Sequence, residues 1–302
     1  MRMSVLGAPV SAGAYAPGQE KAPAALRGAG LVRALEDAGL RPTDLGDIDH
    51  FRWRLDAQRP QGMHPDVVAR AAAQVAKQLA PVLADDGAAF VIGGDCTVEI
   101  GTVAAAAAAG GDFGLIYIDL DADLNTPAST SDGAFDWMGV AHMLGIEGTD
   151  PTLTSGLGPV PLLDPRQLLY FATANVRPFE REIIDRLGIA EIPLAQVAAD
   201  PKGAAAQAVR WARGFDRLLV HLDADVLDYA KFPLAENTRR GVGLDYAQLI
   251  ASLAPLLQAP NWRVLTLTEI NPDHCSDPKA DLERVALDLA AILASSHLQT
   301  AR

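Results

Sequence analysis

The sequence predicts an α/β fold in which a central, mostly parallel sheet of about eight strands lies between two layers of helices. Short apolar stretches rich in strand formers alternate with helical patterns along all 302 residues. This alternation is typical of strands that enter one parallel sheet through helical crossovers. No shift in composition marks a linker and no internal repeat is found, so residues 1–302 are predicted to form a single domain.

Six strands have clear patterns and two have weaker ones. The clear strands are residues 3–7, 89–92, 115–119, 168–172, 217–222 and 264–269, and the weaker ones are 44–48 and 189–192. The predicted helices are residues 23–38, 65–84, 98–108, 178–187, 204–213, 246–257 and 282–295. Two long irregular stretches, 127–139 and 228–243, are expected to be binding loops.

Composition and charge exclude several classes of protein. The net charge of −13 and the pI near 4.8 argue against a nucleic-acid partner, which requires a basic face. No apolar run reaches the roughly 18 residues that span a bilayer, so no membrane association is expected. Cys96 and Cys275 do not form a disulfide framework, and the chain enters a strand without a basic leader. A cytoplasmic location is therefore expected.

Three aspartates follow the strand at residues 115–118 at every second position: Asp119, Asp121 and Asp123. Side chains of a strand alternate with period two, so these three carboxylates are expected to start on one side. Their mutual repulsion would raise their pKa values unless a cation lies between them. The pattern therefore predicts a metal site.

A second apolar strand ends in the same way, at Asp223 and Asp225. Functional groups of open parallel sheets collect at the carboxyl ends of the strands, so the two stretches could pool five carboxylates. A third strand runs into a double glycine followed by Asp95 and Cys96, a turn that permits close backbone approach.

Together these stretches resemble the motifs of the ureohydrolase superfamily, which includes arginase, agmatinase and formiminoglutamase. The similar segments are residues 93–97 (GGDHS in the family), 119–127 (DAHADLNTP), 223–228 (DxDxxDP) and 269–272 (EVNP). Cys96 and Asp121 stand where the family has histidines. The resemblance covers nearly the whole chain and implies the family's three-layer fold and a homo-oligomer, a trimer or a hexamer.

The resemblance also implies a metal centre, most often of two Mn²⁺ ions, that hydrolyses a C–N bond of a guanidinium or related amidine group. The implied ligands are Cys96, Asp119, Asp123 and Asp223 for one ion, and Asp119, Asp121, Asp223 and Asp225 for the other. Oxygen ligands suit Mg²⁺ or Mn²⁺ and a thiolate suits softer ions such as Zn²⁺, so one or two ions of Mn²⁺, Mg²⁺, Zn²⁺ or Ni²⁺ remain open.

Catalytic roles follow from the same resemblance. Glu269 stands where the family's acid faces the cationic group of the substrate, and Asp136 replaces the family's proton-shuttling histidine. A carboxylic acid can shuttle protons if burial or neighbouring acids raise its pKa towards neutrality.

Substrate-binding roles are implied for four residues of the matching loops: Asn125, Trp137, Arg177 and Glu180. Trp137 would form an apolar wall. Arg177 stands where the family has an acid that holds the amino group of its substrate, so it favours an anionic group instead. A small linear amidine other than L-arginine in its usual pose is therefore the expected substrate.

Structural explanations exist for each of these residues. The aspartates could be capping residues of a protein that has lost its metal, Cys96 a small apolar filler, and Arg177 a partner of an aspartate in place of a cation. His221 and His142 are expected to be structural, and His274 could approach the pocket rim. A catalytically degenerate member with a binding or assembly role therefore stands beside the hydrolase as an alternative.

Overall fold

A computed structural model describes residues 3–130, 132–238 and 241–295 and contains one parallel sheet of eight strands. The strands are β1 Met3–Gly7, β2 Pro42–Asp47, β3 Ala88–Ile92, β4 Phe113–Ile118, β5 Leu168–Phe171, β6 Ala190–Ile192, β7 Arg217–Asp223 and β8 Trp262–Thr268. Their spatial order is β2-β1-β3-β8-β7-β4-β5-β6. The predicted fold class is confirmed.

Ten α-helices lie among the described residues. They are α1 Ala22–Gly28, α2 Leu31–Asp37, α3 Pro65–Ala84, α4 Val98–Ala108, α5 Gly139–Met143, α6 Pro178–Leu187, α7 Leu194–Ala199, α8 Pro201–Ala212, α9 Tyr246–Leu257 and α10 Pro278–Ala294. The prediction of one helix over residues 23–38 is wrong, because Gly30 adopts a left-handed φ of 88° that separates α1 from α2. None of the described helices has the length and apolar character to cross a membrane.

Two apolar cores, one on each face of the sheet, hold the three layers together. Side chains that alternate along the strands enter the two cores in turn, so Ile116 belongs to one core and Leu115 to the other. Helices α1, α2, α8, α9 and α10 supply the first core, and α3, α4, α5 and α6 the second. The central strands are therefore buried on both faces, which explains their almost continuous apolar sequences.

The sheet register brings the ends of four central strands together. Ile118 at the end of β4 pairs with Leu222 of β7, and Asp223 pairs with Thr268 of β8. Strand β3 lies on the other side of β8. The polar residues that follow β3, β4, β7 and β8 therefore meet at one edge of the sheet, as expected for a parallel arrangement.

The turn after β3 packs tightly against the segment that follows β1. Asp95 accepts a hydrogen bond from the amide of Gly13 at 2.9 Å, and its own amide donates to the carbonyl of Val10 at 3.1 Å. A Cβ atom on Gly94 would lie 1.6 Å from that same Val10 carbonyl oxygen. Only glycine fits at position 94. The close contact between the two backbone segments also restricts the position of Cys96, two residues further on.

We predict that Gly94→Ala destabilises the protein by roughly 3 kcal/mol, the upper end of the range for overpacking, because backbone must move to admit the methyl group. Gly28→Ala is the matched control, since no atom lies within 4 Å of the Cβ position there. Chemical denaturation of the two variants measures the difference. Equal stability of Gly94→Ala and the native protein would refute the tight packing of this turn.

Candidate metal centre

A narrow cleft opens at the carboxyl edge of the sheet, where the four central strands end. All six predicted metal ligands and both predicted catalytic acids line it. The lining residues are Tyr15, Cys96, Asp119, Asp121, Asp123, Asp136, Trp137, Asp223, Asp225, Asn237 and Glu269.

One group of possible metal ligands in this cleft consists of carboxylates only. Single oxygens of Asp119, Asp121 and Asp225 lie within 4.8 Å of one another. The amide of Asp121 donates to Asp119 Oδ1 at 2.8 Å, and Asn237 Nδ2 donates to Asp225 Oδ2 at 2.9 Å, so local hydrogen bonds orient these side chains. An all-oxygen group of this kind suits a hard divalent cation such as Mn²⁺ or Mg²⁺.

A second group contains sulfur and nitrogen as well as oxygen. Ligand atoms of Cys96, Asp119, His221 and Asp223 also lie within 4.8 Å of one another, and all four residues are buried. Cys96 Sγ donates to Asp223 Oδ2 at 3.0 Å and lies 3.4 Å from His221 Nε2. Asp119 belongs to both groups and is placed to bridge them.

His221 is buried and hydrogen-bonded to Glu99, as expected of a structural histidine, but it also lies among the possible metal ligands. Its Nε2 reaches the ligand group because His221 and Asp223 point to the same face of β7, two residues apart. That spacing is visible in the sequence. The approach of Cys96 from β3 is not, because β8 separates the two strands and only the sheet order shows how near they come.

Asp123 lies in the cleft but outside both ligand groups. Strand β4 ends at Ile118, so the expected alternation stops before the third aspartate, and Asp123 has a left-handed φ of 52°. Its Oδ2 accepts a hydrogen bond from the hydroxyl of Tyr117. All three aspartates line the same cleft, but Asp123 reaches it through this left-handed turn and not through the alternation of a strand. Its role as a metal ligand stays a prediction.

Burial and mutual repulsion make these acids difficult to ionise without a cation. Burial and the neighbouring Asp223 raise the pKa of Asp119 well above its ordinary range, and burial and Asp225 do the same to the pKa of Asp223. Burial and Asp223 also raise the pKa of the Cys96 thiol. Acids placed so close together would ionise more readily beside a cation.

Three of these carboxylates have no cationic partner among the described residues. Within the described part of the chain, no lysine or arginine forms an ion pair with Asp119, Asp123 or Asp223, and Arg177 donates to Asn125 Oδ1 at 3.3 Å. The suggestion that Arg177 replaces a lost cation is not supported at these three carboxylates. Buried charges are tolerated only when they are paired or bind metal, so the ligand groups fit divalent cations.

Two further acids, Asp136 and Glu269, adjoin the ligand groups. The amide of Cys96 donates to Glu269 Oε1 at 3.0 Å and reaches Asp136 Oδ1 at 3.4 Å. Gln19 Nε2 holds the other oxygen of Glu269 at 3.0 Å. Burial first, and then Asp95, raises the pKa of Asp136, whereas burial and Asp136 raise the pKa of Glu269. Each acid therefore makes ionisation of the other less favourable.

The mouth of the cleft has an aromatic wall. The ring of Trp137 stacks on Tyr15 with 5.5 Å between centroids and 8° between planes. Burial raises the pKa of the Tyr15 hydroxyl, so that group stays neutral. The sequence does not single out Tyr15, Gln19 or Asn237, because ordinary aromatic and amide side chains in loops carry no pattern.

The remaining predicted substrate residues form a network beside the cleft and do not line it. Glu180 accepts hydrogen bonds from the amide of Arg177 at 2.8 Å and from Asn125 Nδ2 at 3.3 Å, and the first of these bonds caps helix α6. The side chain of Glu180 is buried, whereas Arg177 is exposed. The predictions that Asn125, Arg177 and Glu180 bind substrate stay predictions.

Two other histidines have structural partners. His142 Nδ1 bonds the Met138 carbonyl at 2.6 Å, and its Nε2 accepts from the amide of Asp150 at 3.0 Å. His274 Nδ1 bonds the carbonyl of Ala235 at 2.8 Å and does not line the cleft.

Comparisons with known proteins agree on one family. A model described as "Arginase family" matches residues 1–295. Arginase-1 of Oryctolagus cuniculus is 27% identical over 297 residues, covering 97% of this chain and 92% of the relative. The native arginase structure from Bacillus caldovelox has a TM-score of 0.86 and 25% identity and covers 97% and 98% of the two chains. Formimidoylglutamase of Bacillus subtilis, at a TM-score of 0.74 and 17% identity over 98% and 87%, shares the fold.

We predict that Asp119→Asn stabilises the metal-free protein and that its advantage over the native protein grows with pH. An unfolded Asp119 titrates near its ordinary value of 3.8, whereas burial raises its pKa in the folded state. Folding therefore favours the protonated form of Asp119. The contribution of Asp119 to the stability of the folded protein is present at low pH and is lost as pH rises through the raised pKa. Denaturation in a chelator at pH 5 and pH 8 measures the trend.

Added Mn²⁺ should make the native protein more stable than Asp119→Asn. At a concentration about 100 times its dissociation constant, a ligand that binds only the folded state stabilises it by roughly 2.7 kcal/mol, and Asp119→Asn should lose most of this gain. Asp185→Asn on the exposed side of α6 is the control and should behave as the native protein does. Native protein that no divalent cation stabilises would contradict the metal centre.

Proposed function

Because the chain belongs to the arginase family, we propose that it is a metal-dependent hydrolase of non-peptide C–N bonds in a linear amidine or guanidino-type small molecule. The observation that carries this proposal is the convergence of two groups of largely buried possible metal ligands and a pair of acids at one cleft. Curated relatives named arginase match over nearly the whole chain and support the class of reaction.

The proposed ligands are the six predicted ones, with Asp119 shared between the two groups. Mn²⁺ is the proposed ion for the all-oxygen group, with one or two ions in the centre. Divalent cations at such a centre supply Lewis acidity and allow water to act as a nucleophile near neutral pH.

Asp136 is proposed to move the proton that the leaving nitrogen requires. It stands where the family pattern has a histidine, and its raised pKa lets it hold a proton at pH values where an ordinary aspartate has lost its own. The amide of Cys96 faces both Asp136 Oδ1 and Glu269 Oε1, so Glu269 is a neighbouring carboxylate that could take up that proton. The pair can therefore donate and accept a proton without charging two buried acids at once.

Glu269 and Trp137 are proposed to hold the amidine group. A cationic, planar amidine can pair with the carboxylate of Glu269 and lie along the aromatic wall of Trp137 and Tyr15. The backbone of Glu269 is left-handed, with φ at 60°; its amide donates to the carbonyl of Gly94, and its carbonyl accepts from the amide of Glu236. Strained backbone kept in place by its surroundings is typical of functional residues.

Arg177 is proposed to select an anionic group at the far end of the substrate. Its guanidinium is exposed beside the cleft and donates a hydrogen bond of 3.3 Å to a neutral side chain, Asn125. A carboxylate could pair with its other donors in a bidentate arrangement. L-Arginine bound in the family's usual pose would instead place its α-amino group near this cation.

We predict that the Mn²⁺-loaded protein releases urea, ammonia or formamide from one member of a panel of guanidino acids, hydroxyguanidines and formimino compounds. Asp136→Asn should lower kcat by about 10²–10⁴-fold, the usual contribution of general acid–base catalysis. Glu182→Gln, an exposed change on α6, should leave the rate unchanged. A metal-loaded protein that hydrolyses none of these compounds would favour the catalytically degenerate alternative.

We also predict that Arg177→Ala raises KM for a carboxylate-bearing substrate by about 10–100-fold, since hydrogen bonds to charged groups contribute roughly 1.5–3 kcal/mol. The matched control is Arg181→Ala, one turn further along α6, where the guanidinium is already paired with Glu191. Steady-state kinetics with amidines that carry a carboxylate and amidines that lack one distinguish the two variants. An equal loss on both kinds of substrate would exclude recognition of an anion by Arg177.

A further inference from the structure

A buried hydrogen-bonded chain runs from helix α4 to the thiol of Cys96. Glu99, in the first turn of α4, lies with its Oε2 at 3.2 Å from His221 Nδ1, and both side chains are completely buried. The other oxygen of Glu99, Oε1, has no hydrogen-bond partner among the described residues. A buried carboxylate with one partner is costly unless that partner carries positive charge or binds a cation.

The ring of His221 is held in a fixed plane. It stacks on Tyr117 of the neighbouring strand with 4.1 Å between centroids and 5° between planes. With Nδ1 directed at Glu99, the opposite nitrogen, Nε2, is directed at Cys96 Sγ. A carboxylate that holds one imidazole nitrogen while the other faces a ligand group is the usual arrangement behind a metal-bound histidine.

The separation of sulfur and nitrogen within this group suits a tetrahedral ion of the zinc class. Bonds of about 2.3 Å to sulfur and about 2.0–2.1 Å to nitrogen, at the tetrahedral angle, place S and N roughly 3.5 Å apart. The observed distance from Cys96 Sγ to His221 Nε2 is 3.4 Å. Asp223 Oδ2 lies 3.0 Å from the same sulfur and offers an oxygen ligand.

We infer, on the basis of the proposed function, that the metal centre is mixed. Cys96, His221 and Asp223 form a position for a borderline-soft ion such as Zn²⁺ or Co²⁺, beside the all-oxygen position that takes Mn²⁺ or Mg²⁺. His221 supplies from β7 the imidazole that the family pattern carries at the position of Cys96. Glu99 is a positioning residue, since it acts through His221. When the ion binds, the metal–sulfur bond replaces the S–H bond and the proton leaves to solvent.

The same three side chains could instead be a thiolate–imidazolium nucleophile. That arrangement is disfavoured here, because the Cys96 thiol donates a hydrogen bond to Asp223. The neighbouring carboxylates would repel the negative charge of a thiolate. A bound cation offsets the repulsion between the thiolate and the carboxylates. It also explains why a thiol, an imidazole and a carboxylate converge.

Spectroscopy of the metal-free protein titrated with Co²⁺ tests the inference without measuring activity. One equivalent should produce a thiolate-to-cobalt charge-transfer band in the near ultraviolet, and Zn²⁺ should displace it. Cys96→Ser should abolish the band, whereas Cys275→Ser, which changes the other cysteine outside both ligand groups, should retain it.

Glu99→Gln separates positioning from simple structural support. It should weaken Co²⁺ binding by about 10–100-fold, the usual effect of losing a carboxylate behind a histidine ligand, and still show the charge-transfer band at saturation. Unchanged affinity would remove Glu99 from the inference.

The inference and the proposed function fail in different ways. Native protein that binds Co²⁺ without the band, or binds none, overturns the mixed centre even if Mn²⁺ supports hydrolysis. A band that depends on Cys96 supports the mixed centre even if no amidine is hydrolysed, in which case only the proposed function is lost.

Discussion

The structure depends on one electrostatic constraint: acids from the ends of neighbouring parallel strands are buried together in a small cleft. Asp119 follows β4, Asp223 ends β7 and Glu269 follows β8, so the sheet itself forces them into proximity. Several charges taken out of water are tolerated only when opposite charge lies between them. The proposed divalent cations would satisfy that requirement for the ligand groups, and a proton held by Asp136 or Glu269 would reduce the charge of that pair.

The sequence predicts most of this arrangement because the information is local. Apolar strands, the helices between them and the aspartates at strand ends are all visible as short patterns, and the eight predicted strands agree with the observed ones to within a few residues. The break at Gly30 is not predicted, because helix propensity on both sides favours one continuous helix. The left-handed turn at Asp123 is not predicted either, because the period-two pattern does not continue beyond the end of its strand.

Non-local features of the site required the structure. The sequence places Cys96 and His221 125 positions apart, and neither the intervening strand β8 nor the contact of Glu99 with His221 can be inferred from spacing. The resemblance to a family draws attention to the two missing histidines. It does not indicate that an imidazole enters the same cleft from another strand.

The departures from the family pattern at Cys96, Asp121 and Asp136 all lie in the same cleft. On the proposed function, a thiol and a carboxylate in place of nitrogen ligands would change which ions each position prefers, and Asp136 in place of a histidine would make proton transfer depend on a buried acid. Both changes leave the architecture of the strand ends intact.

Anomalous diffraction from crystals grown with Mn²⁺ and Zn²⁺ tests the central claim most directly, because it locates each ion by element. The account predicts a zinc peak among Cys96, His221 and Asp223 and a second divalent ion among Asp119, Asp121 and Asp225. Crystals that show no peak in the cleft, with these carboxylates neutralised by protons or by cationic side chains, would contradict it.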